Sequence, residues 1–218
     1  MLDRIRKTQF LKFIIYIVGL NVLALGTVLF ACGKLGVSAL VSVPQVLSLF
    51  LPFTLGQATT LIFVILVIFE LVLLRKIKFQ ILAQLLLAFV FGWIVDFYGL
   101  KIGIEKITIN SLWVQIPVTC LAIIFTAVGI FMMVQANFVL IPPDDVVSVL
   151  SVKLNTQFGK MKLRFDLTMI CVAIVLSLIF LQRITAIGIG TVLAVLFVGR
   201  LINLLEYLFI TRRRQLNG

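Results

Sequence analysis

The sequence predicts an all-α polytopic membrane protein with six transmembrane helices, on three observations. Of the 218 residues, 62% are hydrophobic and only 12% are charged, whereas soluble domains are roughly half apolar and a quarter charged. Apolar runs long enough to cross a bilayer recur along the chain. The Lys and Arg residues gather in alternate connections between these runs, as in multi-pass membrane proteins.

Six apolar runs define the predicted spans, and residues 1–218 are predicted to form a single membrane domain. The spans are residues 10–32, 57–74, 79–100, 112–136, 166–182 and 185–210. The first span follows a basic segment, as the core of a signal peptide would. However, the run is too long for such a core, and no small-residue cleavage site follows it. It is therefore predicted to be a transmembrane helix.

The distribution of Lys and Arg predicts the orientation of the chain. Fourteen of the 19 lie on one side of the predicted topology, and four lie on the other side. The fourteen occupy residues 4–12, 75–78, 153–164 and 212–214. Because cytoplasmic connections are enriched in Lys and Arg, both termini are predicted to be cytoplasmic. Topology and anionic lipid explain the net charge of +11, so no nucleic-acid partner is expected.

Two parts of the chain resemble each other at an offset of 103 residues. Ser42–Gly56 aligns without a gap with Asp145–Gly159, and six of the fifteen positions are identical. The same offset aligns Ala24–Gly26 with Ala127–Gly129. The further pairs, at an offset of 107, are Gly92 with Gly199 and Asp96 with Asn203. The blocks follow the same order in both halves, which favours an internal repeat over chance similarity of apolar segments.

Each predicted repeat contains three spans, so the second repeat must be inverted relative to the first. The repeats cover about residues 10–100 and about residues 112–210. The connection over residues 33–56 is then external and that over residues 137–165 is cytoplasmic, as the charges independently require. Inverted repeats are typical of secondary transporters, with a site near the midplane at the repeat interface.

The stretch Val139–Leu154, VLIPPDDVVSVLSVKL, interrupts the apolar pattern. Pro142 and Pro143 are predicted to end the fourth span, and Asp144 or Asp145 to cap the next helix. Its polar stripe consists of Asp144, Ser148, Ser151 and Asn155, and the aligned external stripe consists of Ser42, Gln45 and Ser48. Two structures fit such a segment: an amphipathic helix in the interface plane, or a re-entrant segment that lines a water-filled path.

Ionisable groups inside spans are energetically expensive and usually face the interior of a bundle. Arg200 is the deepest of them, and it is predicted to anchor an anionic solute group with Glu70 or Asp166 as its counter-charge. The candidate solute or ion path consists of Arg200, Glu70, Asp96, Asp166, Asn203, Ser42, Gln45, Asp145 and Ser148. For the carboxylates in spans, the alternative is that they extend to a nearby interface.

The sequence contains no pattern typical of an enzyme. It lacks a P-loop, a nucleophile elbow and histidine. The three cysteines, Cys32, Cys120 and Cys171, lie in apolar runs without the spacing of a metal site or a disulfide framework. We therefore expect no catalytic residues, no cofactor and no metal.

A series of ordered landmarks carries a resemblance to a known family. They are Leu35-Gly36-Val37-Ser38, Ser42-Val43-Pro44, Leu55-Gly56-Gln57, Phe91-Gly92 with Asp96, Pro143-Asp144, Phe158-Gly159, Phe165-Asp166, Gly188-Ile189-Gly190-Thr191 and Gly199. Over about residues 19–205, the chain resembles the YczE/YyaS/YitT-like bacterial integral membrane proteins. The resemblance implies a bacterial cytoplasmic (inner) membrane protein and supplies no substrate. In related chains the position of Phe63 is often asparagine, so this chain departs from the pattern there.

The leading functional hypothesis is a small-solute secondary transporter or exporter, in which one repeat rocks against the other. The alternative is a non-transporting accessory, scaffold or substrate-binding membrane subunit of a larger complex. Its docking face would be the basic segment Lys153–Arg164. The expected partners are the lipid bilayer, an unknown small solute, and either a second copy of the chain or another subunit of a membrane complex.

Overall fold

The chain folds into eight α-helices within the residues that the computed structural model describes. These are residues 2–76, 79–107 and 109–216, with side chains described for 9–76, 79–107 and 109–209. The helices are α1 (Leu2–Gly33), α2 (Ala39–Phe50), α3 (Leu55–Leu74), α4 (Phe79–Asp96), α5 (Leu112–Ala136), α6 (Pro142–Lys153), α7 (Phe158–Leu181) and α8 (Ile189–Leu216). Beyond α4 the chain continues as a π-helical turn, Phe97–Lys101, and a 3-10 turn, Ile104–Lys106. The described residues contain no β-strand.

Six of these helices are long and apolar enough to cross a membrane, which confirms the predicted class. The spanning stretches are Gln9–Gly33, Leu55–Leu74, Phe79–Lys101, Leu112–Ala136, Phe158–Leu181 and Ile189–Phe209. The two remaining helices, α2 and α6, have 12 residues each and are too short to span. They occupy the two positions at which the sequence predicted short amphipathic or re-entrant segments.

The start of the fifth span was predicted wrongly. It was placed at Asp166, but α7 begins at Phe158 and therefore includes Lys162. The charge of Lys162 suggested a connection, but its ammonium group lies 3.0 Å from a carboxylate oxygen of Asp144 and 3.0 Å from one of Asp166. Because these carboxylates neutralise it, the helix extends two turns further into the basic segment.

Helix α5 ends where predicted, but the roles predicted for the prolines and aspartates that follow it were wrong. Helix α5 ends at Ala136, where Asn137 adopts the left-handed conformation (φ 54°), so the prolines do not end it. Pro142 and Pro143 open α6, where the missing amide hydrogen of proline costs nothing. The N-cap is Ile141, and both aspartates lie in the first turn, near the positive end of the helix.

The spanning helices run antiparallel, which gives the bundle two distinct ends. We define the basic end as the end that holds the α3–α4 and α5–α6 connections. There, the Tyr16 hydroxyl donates a 2.8 Å hydrogen bond to the Val139 carbonyl, and Lys153 Nζ donates to the Leu73 carbonyl at 3.3 Å. At the opposite end, the Gly190 amide donates to the Leu35 carbonyl at 2.7 Å.

Helices α1 and α5 form the centre of the bundle and pack at glycines. A Cβ atom at Gly26 would lie 2.8 Å from Thr126 Oγ1, and one at Gly129 would lie 2.6 Å from the Leu23 amide nitrogen. The two contacts are reciprocal, because Leu23 and Gly26 correspond to Thr126 and Gly129 at the offset of 103 residues. Such small residues allow helix backbones to approach closely inside a membrane.

The other helices pack around this central pair. Helix α4 packs on α1 and α8 packs on α5, while α2 packs on α7 and α6 packs on α3. Helices α3 and α4 contact each other closely, where a Cβ atom at Gly56 would lie 2.1 Å from the Gly92 carbonyl oxygen. Helices α7 and α8 scarcely touch, and a Cβ atom at Gly159 or Gly199 would meet no atom within 4 Å.

The short helices α2 and α6 enter the bundle with their N-termini first. Residues 39–44 of α2 and residues 142–144 of α6 are buried. At the other end of α2, Phe50 stacks on Phe180 of α7 with ring centroids 4.4 Å apart. Both helices therefore return from inside the bundle toward its surface, which is the geometry of re-entrant segments rather than of helices lying on the surface.

The α1–α5 contact generates a first prediction. Replacing Gly129 by Ala forces the backbones apart, so we expect a loss of stability of about 1–3 kcal/mol, as for other overpacked sites. Gly199→Ala is the matched control, because the new methyl group enters open space and improves helix propensity. Thermal unfolding of both variants in detergent measures the difference. Equal stability of the two variants would contradict the close packing of α1 on α5.

Candidate functional site

A cavity lies at the basic end between α3, α4 and α6. It has a volume of about 510 Å³ and is lined by Glu70, Gln80, Asp145, Ser148, Lys153 and five apolar residues of these helices. Glu70 is only 1% exposed and lies deep in the wall, whereas Gln80 and Lys153 are exposed. The cavity therefore runs from the surface of the basic end to a buried carboxyl group.

The first turn of α6 presents Asp145 to this cavity. The buried side chain of Gln84, on α4, donates a hydrogen bond from Nε2 to Asp145 Oδ2. Ser148 lies about one turn further along the same face of α6 and also lines the cavity. The structure thus brings together three of the residues predicted from the sequence, Glu70, Asp145 and Ser148.

A cluster of charged residues lies on the other side of α6. Lys162 Nζ is 3.0 Å from Asp144 Oδ1 and 3.0 Å from Asp166 Oδ1. The side chains of Asp144 and Asp166 are only 9% and 14% exposed. The predicted partner of Asp166 was Arg200, but the ion pair that the structure forms is with Lys162. This cluster was missed because Lys162 was assigned to a connection, although its spacing of four residues from Asp166 is a helical ion-pair signal.

The charged cluster borders a small internal cavity of about 40 Å³. Its wall includes Ser38 and Ala39 at the N-terminus of α2, Thr126 of α5 and the three charged residues. Ser38 is the N-cap of α2 but makes no side-chain capping bond. The N-termini of α2 and α6 therefore meet at one cavity inside the bundle, beside the charged cluster.

Asp96 has a different position, at the opposite end of the bundle. Its Oδ2 accepts a 2.6 Å hydrogen bond from the Thr54 hydroxyl, and its Oδ1 accepts a 2.8 Å hydrogen bond from the Gly56 amide. The carboxylate of α4 thus caps the N-terminus of α3. Burial, together with the charge of Asp96, raises the pKa of the nearby Glu105 carboxyl. Glu105 lies outside the spanning stretches and holds a proton more readily than an ordinary glutamate.

The remaining predicted residues lie apart from both cavities. In α2, the Ser42 hydroxyl donates to the Ala39 carbonyl at 2.8 Å, and Gln45 lies one turn further along. Arg200 is exposed on α8, with its guanidinium carbon 6.0 Å from the Phe197 ring centroid. Asn203 is also exposed on α8. The expected pairing of Arg200 with a carboxylate is not among the ion pairs of the described residues.

Comparisons with known proteins identify the family. The model of a family of unknown function, DUF6198, matches residues 10–207. The chain belongs to this family. No curated protein and no solved structure matches the chain.

The family match covers all six spanning stretches and both short helices. It names no activity, and the resemblance to YczE/YyaS/YitT-like proteins stays a prediction. At the position where those proteins often have asparagine, Phe63 is fully buried and stacks on Phe91 with ring centroids 5.5 Å apart. In this chain the residue at this position therefore packs α3 against α4.

The charged cluster generates a second prediction. Lys162→Met leaves two shielded carboxylates without their cation, so we expect a loss of about 3–5 kcal/mol, typical of breaking a buried ion pair. Adding Asp144→Asn and Asp166→Asn should recover most of the lost stability, because it removes the two unpaired charges. Thermal unfolding in detergent measures both effects. Lys160→Met, two residues away and exposed, is the control, and an equally mild effect of Lys162→Met would show that the cluster is not shielded.

Proposed function

We propose that this protein is a small-solute secondary transporter or exporter of the bacterial cytoplasmic (inner) membrane. The cavity of about 510 Å³ at the basic end carries the proposal, because its size suits a small solute and a carboxyl group lies deep in its wall. By the positive-inside rule the basic end faces the cytoplasm, with both termini on that side. Glu70 and Asp145 favour a solute with an ammonium group or several hydrogen-bond donors.

Packing features that favour an inverted repeat support this proposal. The reciprocal contacts of Gly26 with Thr126 and of Gly129 with Leu23 are the pattern expected of a two-fold axis between antiparallel α1 and α5. The packing of α2 on α7 has its counterpart in α6 on α3, and α1 on α4 has its counterpart in α5 on α8. Transporters with this architecture bind their solute where the repeats meet.

The two halves differ in one respect that suggests how access alternates. At the opposite end, Gly56 meets Gly92, and Asp96 caps α3. Their aligned partners at the basic end, Gly159, Gly199 and Asn203, are all exposed. Helices α3 and α4 are thus packed together at the opposite end, whereas α7 and α8 are not packed together at Gly159 and Gly199. In the alternate conformation, α7 and α8 would close through Gly159 and Gly199 while α3 and α4 separate.

The accessory function is the weaker candidate. Its docking face was the basic segment Lys153–Arg164. However, Lys162 lies against Asp144 and Asp166, and Lys153 donates to the Leu73 carbonyl, so only part of the segment is presented to a partner. No described feature specifically favours a scaffold.

A ligand screen tests the proposed solute site. The purified protein is heated with a panel of metabolites and ions, and a solute that binds the folded state raises its stability. The expected gain is about 2.7 kcal/mol at a hundredfold excess over Kd. The gain should be lost in Glu70→Gln and retained in Arg200→Ala. A hit lost only in Arg200→Ala would place the site on α8 and overturn the assignment to this cavity.

Cysteine cross-linking tests the alternating access. In a chain without Cys32, Cys120 and Cys171, the pair Gly159→Cys with Gly199→Cys should form a disulfide within one chain when α7 and α8 close. The pair Gly159→Cys with Ile189→Cys is the control, because Ile189 lies about 15 Å from Gly199 along α8. The product is detected by its electrophoretic mobility with and without reductant.

Two outcomes would argue against this gate. Failure of the Gly159–Gly199 pair to react in folded protein would show that α7 and α8 do not close. A disulfide formed only between two chains would instead assign the exposed face of α7 and α8 to a contact between copies.

A further inference from the structure

The charged cluster carries a net negative charge although its carboxylates are largely shielded from water. Two carboxylates, Asp144 and Asp166, share the single ammonium group of Lys162, so the cluster carries a net charge of −1 when all three are ionised. Asp166 lies eight residues inside the spanning helix α7, or about 12 Å from its start. An uncompensated charge that is largely shielded from water is expensive. A bound positive species would remove it.

Two helix N-termini lie beside the cluster and partly offset its negative charge. The N-termini of α2 and α6 meet at the adjoining cavity, and each helix N-terminus acts as about half a positive charge. These partial charges make the state of −1 tolerable, while one added proton makes the cluster neutral. The surroundings therefore accommodate both the ionised and the singly protonated cluster, as reversible binding of a positive species requires.

The dimensions identify the ligand as a proton. The cavity beside the cluster has a volume of about 40 Å³, enough for water but not for an organic solute. A sodium or calcium ion needs several oxygen ligands around it. Here the ammonium group of Lys162 already occupies the position between the two carboxylates, 3.0 Å from each. A proton needs no coordination space and is the one cation that fits.

Within the part of the chain that the structure describes, the cavity beside the cluster is lined by no further titratable group. The segments that line the cavity from α2, α5 and α8 contribute uncharged residues. On α7 the neighbouring charged residues, Lys160 and Arg164, are exposed, as is Arg200 on α8. Across α6, Asp145 bonds to Gln84 and lines the larger cavity with Glu70.

We propose that the Asp144–Lys162–Asp166 cluster is a proton-binding site in which Asp166 takes up and releases one proton. Asp166 is the acceptor because Asp144 lies in the first turn of α6, where the positive helix end stabilises its carboxylate form. Asp166 lies within α7 and has no helix end of its own. Protonation adds one hydrogen ion from water to its carboxylate and changes the cluster from −1 to neutral.

The position of α6 connects this proton to the solute cavity. Consecutive residues of its first turn face the two sites, since Asp144 contacts Lys162 and Asp145 lines the larger cavity. A change in the electrostatic attraction between Lys162 and Asp144 therefore acts on α6, the helix that also carries Asp145. This part of the inference rests on the proposed transport function and makes the proton the coupling ion.

Infrared difference spectroscopy tests proton binding without any solute. The reconstituted protein is compared in mildly acidic and mildly alkaline buffer, and the carbonyl band of protonated carboxylic acids is recorded. Glu105→Gln serves as the background, because burial and the charge of Asp96 raise the pKa of the Glu105 carboxyl, and this group could add its own band. The band is expected to be present in this background and lost when Asp166→Asn is added.

Glu70→Gln and Asp145→Asn are the matched controls, and both should retain the band. Asp166→Glu keeps a carboxyl group and should shift the band in frequency without removing it, which covers the case that Asp166→Asn does not fold. A band that persists in folded Asp166→Asn, or disappears in Glu70→Gln or Asp145→Asn, would overturn the assignment. An empty solute screen leaves this result unaffected, so the two proposals fail separately.

Discussion

The close approach of α1 and α5 is the constraint on which the rest of the structure depends. In a bilayer, lipid tails are as apolar as the helices, so helix association relies on close van der Waals contact rather than on the hydrophobic effect. Gly26 and Gly129 provide that contact by leaving room for the opposing backbone. Helices α4 and α8 pack on this pair, α3 packs on α4, and α7 is held through the short helices α2 and α6. The distance between α1 and α5 therefore sets the distance between the two halves of the protein.

The short helix α6 links the two features that most closely resemble a functional site. Its aspartates are adjacent in sequence, and a helical step of about 100° directs them to different neighbours. Asp144 meets Lys162 of α7, and Asp145 meets Gln84 of α4. Because α6 begins inside the bundle, both interactions are shielded from bulk water and are stronger than they would be at the surface. Movement of one short helix would alter both environments together.

The membrane class and the six spans could be predicted because apolar run length and charge asymmetry are local properties of the sequence. The predicted and observed ends agree for α5, whereas the start of α7 differs from the prediction by eight residues. That error came from Lys162, because its neutralisation depends on Asp144, which lies on another helix. From the sequence alone, a charged residue beside an apolar run is assigned to a connection between spans, because its partner in the folded structure is not known.

The candidate site was predictable in part for the same reason. Glu70, Asp145 and Ser148 were selected as polar groups in or beside apolar runs, and they converge on one cavity. Arg200 was selected by depth along its helix, but depth does not determine which way a residue faces. It lies on the exposed side of α8, and only the packing of α8 on α5 decides that orientation.

Helix α8 is the least buried of the six spanning helices, and its N-terminal end contacts the segment that follows α1. At that end the Gly190 amide bonds to the Leu35 carbonyl, and Gly188 lies so close to Leu35 that a Cβ atom would be 2.4 Å from the same oxygen. Its spanning stretch has 21 residues, or about 31 Å, close to the thickness of a typical hydrocarbon core. Because little of α8 is buried, a mismatch between this length and the hydrocarbon thickness is accommodated by a change in its tilt. A thinner bilayer would increase the tilt of α8, so the chain length of the surrounding lipids would change the orientation of this helix.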